Sequence, residues 1–470
     1  MTTLATLRTL ARRHQRLRRL TERHPQLVSR FTMLMTQNIQ DPIERAGASG
    51  FFNADDIDAV ARVVFDEGHA SPRYAHLQHA HMTLPPWFRQ DLDPYGPEYL
   101  EQQKRLWRLI AGVERDYEPD LDEKEAPIGD VDSVRFPGFF MRRDPDAVSS
   151  ASDHVIASGM ILKHSGLRPG GSALEYGAGF GHTSVSLARL GVNVDTVDIS
   201  RAFCQHVQNQ ADHLQLPLTA HLGHFGMNPR PGHRYDLVFF YESFHHCLDW
   251  QALMRRLPEL ITDSGRVILC GEPMAERAYA AVPYPWGIRL QSDVVATIRR
   301  LHWFELGFTE DFLYEIFTRA GFRIHRHRCE PSLWGRTYVA ERHPNEIHLG
   351  ELWLPPAMED SEWHGAEADG RWTRGNARLA ICEAWEQHAL EMDLANPSGS
   401  AVELVLQRGR SSSSVRLAAG ERRTVTLLPS PARHVSLRCE ARRLDRLGRW
   451  INRGDRRELG VFVRRLRLQH

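Results

Sequence analysis

The chain has 470 residues, more than one hydrophobic core usually holds, and 42% hydrophobic with 25% charged residues is the balance of ordinary globular domains, not of a disordered chain. Fifty-nine basic residues stand against fifty-nine acidic ones, so no overall field gathers nucleic acid. The six cysteines are scattered with no CxxC pair, which argues against a disulfide framework or structural zinc, and no run approaches the roughly 20 apolar residues that cross a bilayer. The N-terminus lacks the pattern of a signal peptide, and a cytoplasmic protein is expected.

Residues 1–40 are rich in arginine, with Leu7, Leu10, Leu17 and Leu20 at helical spacing, so an amphipathic helix is expected. It would pack on its own chain or on a second copy, or touch an anionic membrane surface without crossing it. Two acidic-led runs, Asp55 to Val64 and Glu98 to Ile110, also have helical pattern, which makes residues 1–150 a mainly helical region serving assembly or as a substrate lid.

From residue 151 short apolar strands alternate with helical stretches, the pattern of a doubly wound parallel sheet. Strands are expected at Ser172–Tyr176, Val192–Ile199, Leu218–Leu222, Tyr235–Phe240 and Gly265–Cys270, with helices near 181–190, 201–214 and 246–261. A helix over Phe312–Ala320 and a strand over Phe322–Arg328 close this region near residue 345. Residues 346–470 alternate apolar with polar in seven short stretches between Gly, Pro, Asn and Ser turns, which predicts an antiparallel β-sandwich as an accessory domain.

The strand ending in Leu174-Glu175-Tyr176 runs into Gly177, Gly179 and Gly181 and then a helix. Glycine adopts backbone angles other residues resist and lets the main chain approach a ligand. The dinucleotide form of this turn has its third glycine one position later, where this sequence has His182. The Gly-x-Gly-x-Gly spacing instead resembles class I methyltransferases, which use S-adenosylmethionine, and implies their Rossmann-like α/β sheet. Asp198, about 20 residues on at the end of the next strand, is placed to accept hydrogen bonds from both ribose hydroxyls. Glu175 is expected near the methionine end of the cofactor. Phe225 follows the third strand, where an apolar side chain lies against adenine, although the acid that usually precedes it is missing; a core role for Phe225 is equally open.

Ligands of an open parallel sheet bind beyond the carboxyl ends of its strands, which points to Tyr241-Glu242-Ser243-Phe244-His245-His246-Cys247. Methyl transfer to a hydroxyl needs alignment and removal of a proton, and histidine suits that task near neutral pH. His245 is the favoured base, with His246 and Glu242 as its neighbours. Adjacent histidines seldom chelate one ion well and His325-Arg326-His327-Arg328 is dominated by cations, so no metal is expected. Glu272 is a further residue at this mouth, either a substrate contact or a turn carboxylate satisfied by local amides.

Beyond the generic fold, Tyr241 to Cys247, Gly271-Glu272-Pro273, Pro283 to Leu290 and Glu305-Leu306-Gly307-Phe308 resemble bacterial methyltransferases of cell-surface polysaccharide synthesis, as do Trp363 to Thr373 and Asp455 to Val461 near the end. The resemblance implies O-methylation of a sugar in a nucleotide-linked or lipid-linked glycan. Tyr284 and Trp286 beside Arg289 would then contact the sugar together with Tyr241; a proline-stiffened segment packing on the sheet is the alternative. A methyltransferase of a small metabolite, or a glycan-binding protein on a degenerate scaffold, also remains open.

Overall fold

The computed structural model describes residues 35–123, 132–343, 345–443 and 457–469. Residues 1–34 of the expected basic helix lie outside these, as do Asp455 and Arg456. Among the described residues no helix is long and apolar enough to cross a membrane, and all six cysteines are free thiols.

The N-terminal part is largely helical, with helices Pro42–Ser49, Ile57–Arg62 and Pro97–Ala111 (α1). α1 starts on a proline, whose missing N–H costs nothing at a helix start, and ends at Gly112 in the left-handed conformation. Its buried face carries Tyr99, Leu106, Trp107 and Ile110. Helix Ala147–His164 (α2) runs without a break across residue 150, where the sequence changes texture.

Seven strands form the central sheet: Ser172–Tyr176 (β1), Asn193–Asp198 (β2), Leu218–Leu222 (β3), Tyr235–Tyr241 (β4), Ile261–Cys270 (β5), Phe322–His327 (β6) and Thr337–Arg342 (β7). Their order across the sheet is β3-β2-β1-β4-β5-β7-β6. The first five are parallel, and β7 runs antiparallel to both β5 and β6. This is the class I methyltransferase arrangement expected from the sequence. Helices His182–Arg189 (α3), Arg201–Leu214 (α4) and Trp250–Leu260 (α5) follow β1, β2 and β4. Both faces of the sheet are covered, and alternate residues divide between them: Leu237 and Phe239 pack with α2, α3 and α4, Val238 and Phe240 with the larger core on the other side.

Between β5 and β6 lies an insertion not anticipated from the sequence. Met274–Ala275, Leu306–Thr309 and Trp286–Ile288 form a small sheet in that spatial order, and helix Ser292–Leu301 (α6) packs on α1 and on Ile57–Arg62. Helix Glu310–Arg319 (α7) leads into β6. β7 is a further strand not expected from the sequence. It inserts between β5 and β6, an order that sequence patterning does not specify.

The C-terminal part has two antiparallel sheets. One contains Glu346–His348 (β8), Leu390–Ala395 (β10), Arg422–Leu427 (β13) and Phe462–Leu468 (β15), with Arg371–Trp372 paired on β15; the other contains Asn376–Ala380 (β9), Val402–Arg408 (β11), Ser411–Leu417 (β12) and His434–Cys439 (β14). All seven expected strands are present within a few residues, because their alternation is regular. Along β11, Val402, Leu404 and Leu406 are buried while Glu403, Val405 and Gln407 face solvent.

Candidate functional site

A cavity of about 640 Å³ lies beyond the carboxyl ends of β1, β2, β3 and β4. On one side is the turn from β1 into α3, where Gly177, Gly179 and Gly181 all have positive φ. A Cβ on Gly177 would stand 2.5 Å from Cβ of Ser243, so only glycine fits there without displacement. Nothing lies within 4 Å of a Cβ on Gly179, whose backbone faces the open cavity. Gly181 instead admits Val207 of α4 and does not line the cavity.

Asp198, at the end of β2, lines the cavity and ties its wall together. One carboxylate oxygen accepts the Gly179 N–H at 2.9 Å, and the other accepts the Ser200 N–H at 2.8 Å, where α4 begins. Phe225 also lines the cavity, its ring 6.0 Å from those of Tyr176 and Phe240. Glu175 points to the opposite face of the sheet, as alternation from Tyr176 requires, and accepts a hydrogen bond from Ser184 Oγ of α3. Burial lifts its carboxyl to about 8. It does not line the cavity.

The other side is built on the bend after β4. Glu242 lines the cavity in the left-handed conformation, at φ 50, which costs a non-glycine residue on the order of 1–3 kcal/mol. Gly271, next to it just past β5, makes room: a Cβ there would come within 2.7 Å of Glu242 Cγ. Burial, reinforced by the Glu272 carboxylate, raises the Glu242 carboxyl to about 8.

The two histidine rings lie side by side but at different depths. His246 lines the cavity, whereas His245 is 7% exposed and packed behind it, so His245 does not hold the base position expected of it. Glu272 fixes His245 and the bend together. Its carboxylate accepts the backbone N–H groups of Ser243 and Phe244 at 2.9 Å and of His245 at 3.1 Å, and lies 2.8 Å from His245 Nδ1. Burial, with His246 alongside, lowers the His245 pKa. Burial also opposes charge on His246, but Glu123 and Glu305 outweigh it and hold that imidazole at about 9.

Four separated stretches meet at this point. Glu242, His245 and His246 come from the first, Glu272 from the second, Arg289 from the third and Glu305 from the fourth, the same stretches that carry the resemblance to polysaccharide-associated methyltransferases. Arg289 pairs with Glu305, whose carboxylate also stands 3.7 Å from His245 Nε2. Against the cost of burial, the Arg289 guanidinium and the imidazoles pull Glu305 down to about 2.

Tyr284 and Trp286, expected to offer ring faces to a sugar, are core residues instead. Trp286 is fully buried against Tyr99 and Trp250, its indole N–H donating to the Pro94 carbonyl, and Tyr284 donates to the Ile288 carbonyl. Tyr241 lies outside the cavity with its hydroxyl 2.5 Å from His154 Nδ1.

Sequence reasoning missed Glu305, and it missed the wall supplied by Lys104, Tyr117, Glu123 and Trp303. Glu123 accepts hydrogen bonds from the Tyr117 hydroxyl at 2.7 Å and the Phe304 N–H at 2.8 Å, and lies 3.3 Å from His246 Nδ1. Within Asp120-Leu121-Asp122-Glu123-Lys124-Glu125 it reads as part of a solvated acidic run, with no signal of this role. Glu305 had one: a lone acid at the head of the apolar Leu306-Gly307-Phe308.

Residues 157–327 match the family model described as "Methyltransferase domain". No curated protein matches the chain. Among solved structures, it is similar to CcbJ methyltransferase from Streptomyces caelestis (20% identity, 45% of this chain and 94% of that one, TM-score 0.33). Two others are Burkholderia thailandensis 1,6-didemethyltoxoflavin-N1-methyltransferase (18%, 42% and 83%, TM-score 0.33) and an S-adenosylmethionine-dependent methyltransferase from Aquifex aeolicus (15%, 42% and 97%, TM-score 0.30). The sheet order and the family match define a methyltransferase domain. The chain is an enzyme, and S-adenosylmethionine is its cofactor.

Proposed function

We propose that this enzyme O-methylates a sugar hydroxyl in the synthesis of a surface glycan, on a nucleotide-linked or lipid-linked acceptor. The observation that carries the reading is Glu242: an acid held in a strained backbone conformation, facing the cavity across from the glycine turn. Asp198 would hold the cofactor's ribose hydroxyls, the open backbone at Gly177 and Gly179 its approach, and Phe225 its adenine. Bound there, the cofactor supplies an electrophilic methyl group on a sulfonium.

Glu242 takes the proton of the acceptor hydroxyl. With its carboxyl lifted to about 8 it is a stronger base than an ordinary glutamate, and it takes its basic form as pH rises through that value. His246 lies beside it in the cavity wall, where the acceptor would approach, and His245 and Glu272 set the shape of the bend. The choice of a sugar rests on the four converging stretches and their resemblance to polysaccharide-associated enzymes.

Mass spectrometry of surface glycans from cells with and without the gene tests the proposal. It predicts a residue one methylene heavier only when the gene is present. Unchanged glycans together with methylation of a small metabolite by the purified chain would replace it.

A further inference from the structure

We infer that His245, His246 and Glu305 form a binding site for a divalent transition-metal ion of the zinc type at the acceptor side of the cavity. One ligand atom from each, two imidazole nitrogens and a carboxylate oxygen, all lie within 4.8 Å of one another. The sequence argued against a metal because neighbouring histidines rarely share one ion. Here the chain turns through the short helix Phe244–His246, which brings both rings to one side with centroids 4.3 Å apart, and Glu305 arrives from the insertion to complete a set of three.

Two further observations point to a cation rather than to packing alone. The first is orientation. Glu272 takes the Nδ1 side of His245 at 2.8 Å, which with Nδ1–H donating leaves Nε2 as the free ligand atom, 3.7 Å from the Glu305 oxygen that also pairs with Arg289. A carboxylate fixing the outer nitrogen of an imidazole is how proteins orient a metal-binding histidine.

The second is charge. Glu123, Glu272 and Glu305 contact the two imidazoles, and the guanidinium of Arg289 is the one arginine or lysine group paired with any of the three among the described residues. Three carboxylates against one guanidinium leave two negative charges with no arginine or lysine beside them among the described residues. Buried charge without a partner is costly, and a divalent ion offsets it. Arg289 occupies only one oxygen of Glu305, so the other is free to ligate.

Two nitrogen ligands select a borderline metal such as zinc over magnesium, which prefers oxygen. Three protein ligands leave a fourth position, and His246 directs it into the cavity. Resting on the proposed methyl transfer, the ion would hold the acceptor hydroxyl there and polarise its O–H bond; the proton passes to a carboxylate oxygen of Glu242.

Calorimetric titration of zinc chloride into the full chain, freed of metal by chelator, tests the site, with S-adenosylhomocysteine binding as a separate check of fold and cofactor site. One zinc per chain with a dissociation constant of micromolar or below is expected. Glu305→Gln and His246→Asn should each weaken it at least tenfold while S-adenosylhomocysteine still binds. Cobalt in place of zinc should give the visible bands of a four-coordinate site, lost in Glu305→Gln. Absence of saturable zinc binding by a chain that binds S-adenosylhomocysteine would overturn the site, as would zinc binding indifferent to both substitutions, which marks adventitious surface histidines. Failure to bind S-adenosylhomocysteine with the metal site intact would count against the cofactor assignment alone.

Discussion

The wall beside β1 and β2 is built around an open glycine turn, whereas the wall beyond β4 is built around charged side chains. Gly177, Gly179 and the Asp198 carboxylate mark the first, all within about 20 residues and set by the spacing of adjacent parallel strands. The second gathers Glu242, His246 and Glu123, backed by Glu272, Arg289 and Glu305, from stretches that run from residue 123 to residue 305. A glycine turn tolerates few substitutions but does one thing, leaving room. A wall of buried charges is a network, in which each group sets the proton affinity of the next. Substitutions on the two sides should therefore fail in different ways.

The largest effect is expected on the side-chain wall. Glu242→Gln keeps the shape of the side chain and loses the base, and general-base catalysis contributes about 100- to 10,000-fold. Turnover with the acceptor should fall on that scale while KM for S-adenosylmethionine stays near its wild-type value. Near-normal turnover would move the base to His246.

A smaller effect marks the acid behind the glycine turn. The Glu175 carboxyl is raised from its ordinary range to about 8, so folding favours its neutral form. That contribution is whole below about pH 4.5 and is lost as pH rises through 8. Glu175→Gln should remove this loss, and its melting temperature should exceed the wild type's by the equivalent of a few kcal/mol at pH 9 and little at pH 5. Parallel pH dependences in the two proteins would show that Glu175 is ionised without penalty.

The glycine turn gives the finest distinction. Gly177→Ala must push Ser243 aside and should cost about 1–3 kcal/mol of stability, read in denaturant unfolding. Gly179→Ala meets no atom, so it should cost less stability and instead weaken S-adenosylhomocysteine, because its methyl group enters the cavity. Equal losses of stability would mean that the turn is not as differentiated as its contacts.

The same contrast explains what the sequence reveals. The turn, Asp198 and the parallel strands are legible because each depends on neighbours in sequence: strand, glycine, helix, strand. The C-terminal strands are legible for the same reason, through alternation along β11 and its partners. The local pattern favours His245 as the base while the cavity is lined by Glu242 and His246, because nothing local says which side chains of a bend reach the cavity. Glu123 and Glu305 owe their places to an N-terminal segment and an insertion folding onto the cavity, a long-range event without local pattern. Trp286 and Tyr284 read as a sugar platform and serve as core, since an aromatic residue beside prolines fits either.

Calorimetric titration of S-adenosylhomocysteine into the wild-type chain, Asp198→Ala and Glu242→Gln bears most directly on this division. The wild type should bind one equivalent. Loss of hydrogen bonds to a charged group should weaken Asp198→Ala by about 1–3 kcal/mol. Glu242→Gln should bind as the wild type does, because its carboxylate serves the acceptor. No saturable binding to the wild type, or a Glu242→Gln defect as large as that of Asp198→Ala, would contradict a cavity divided between a cofactor wall and an acceptor wall.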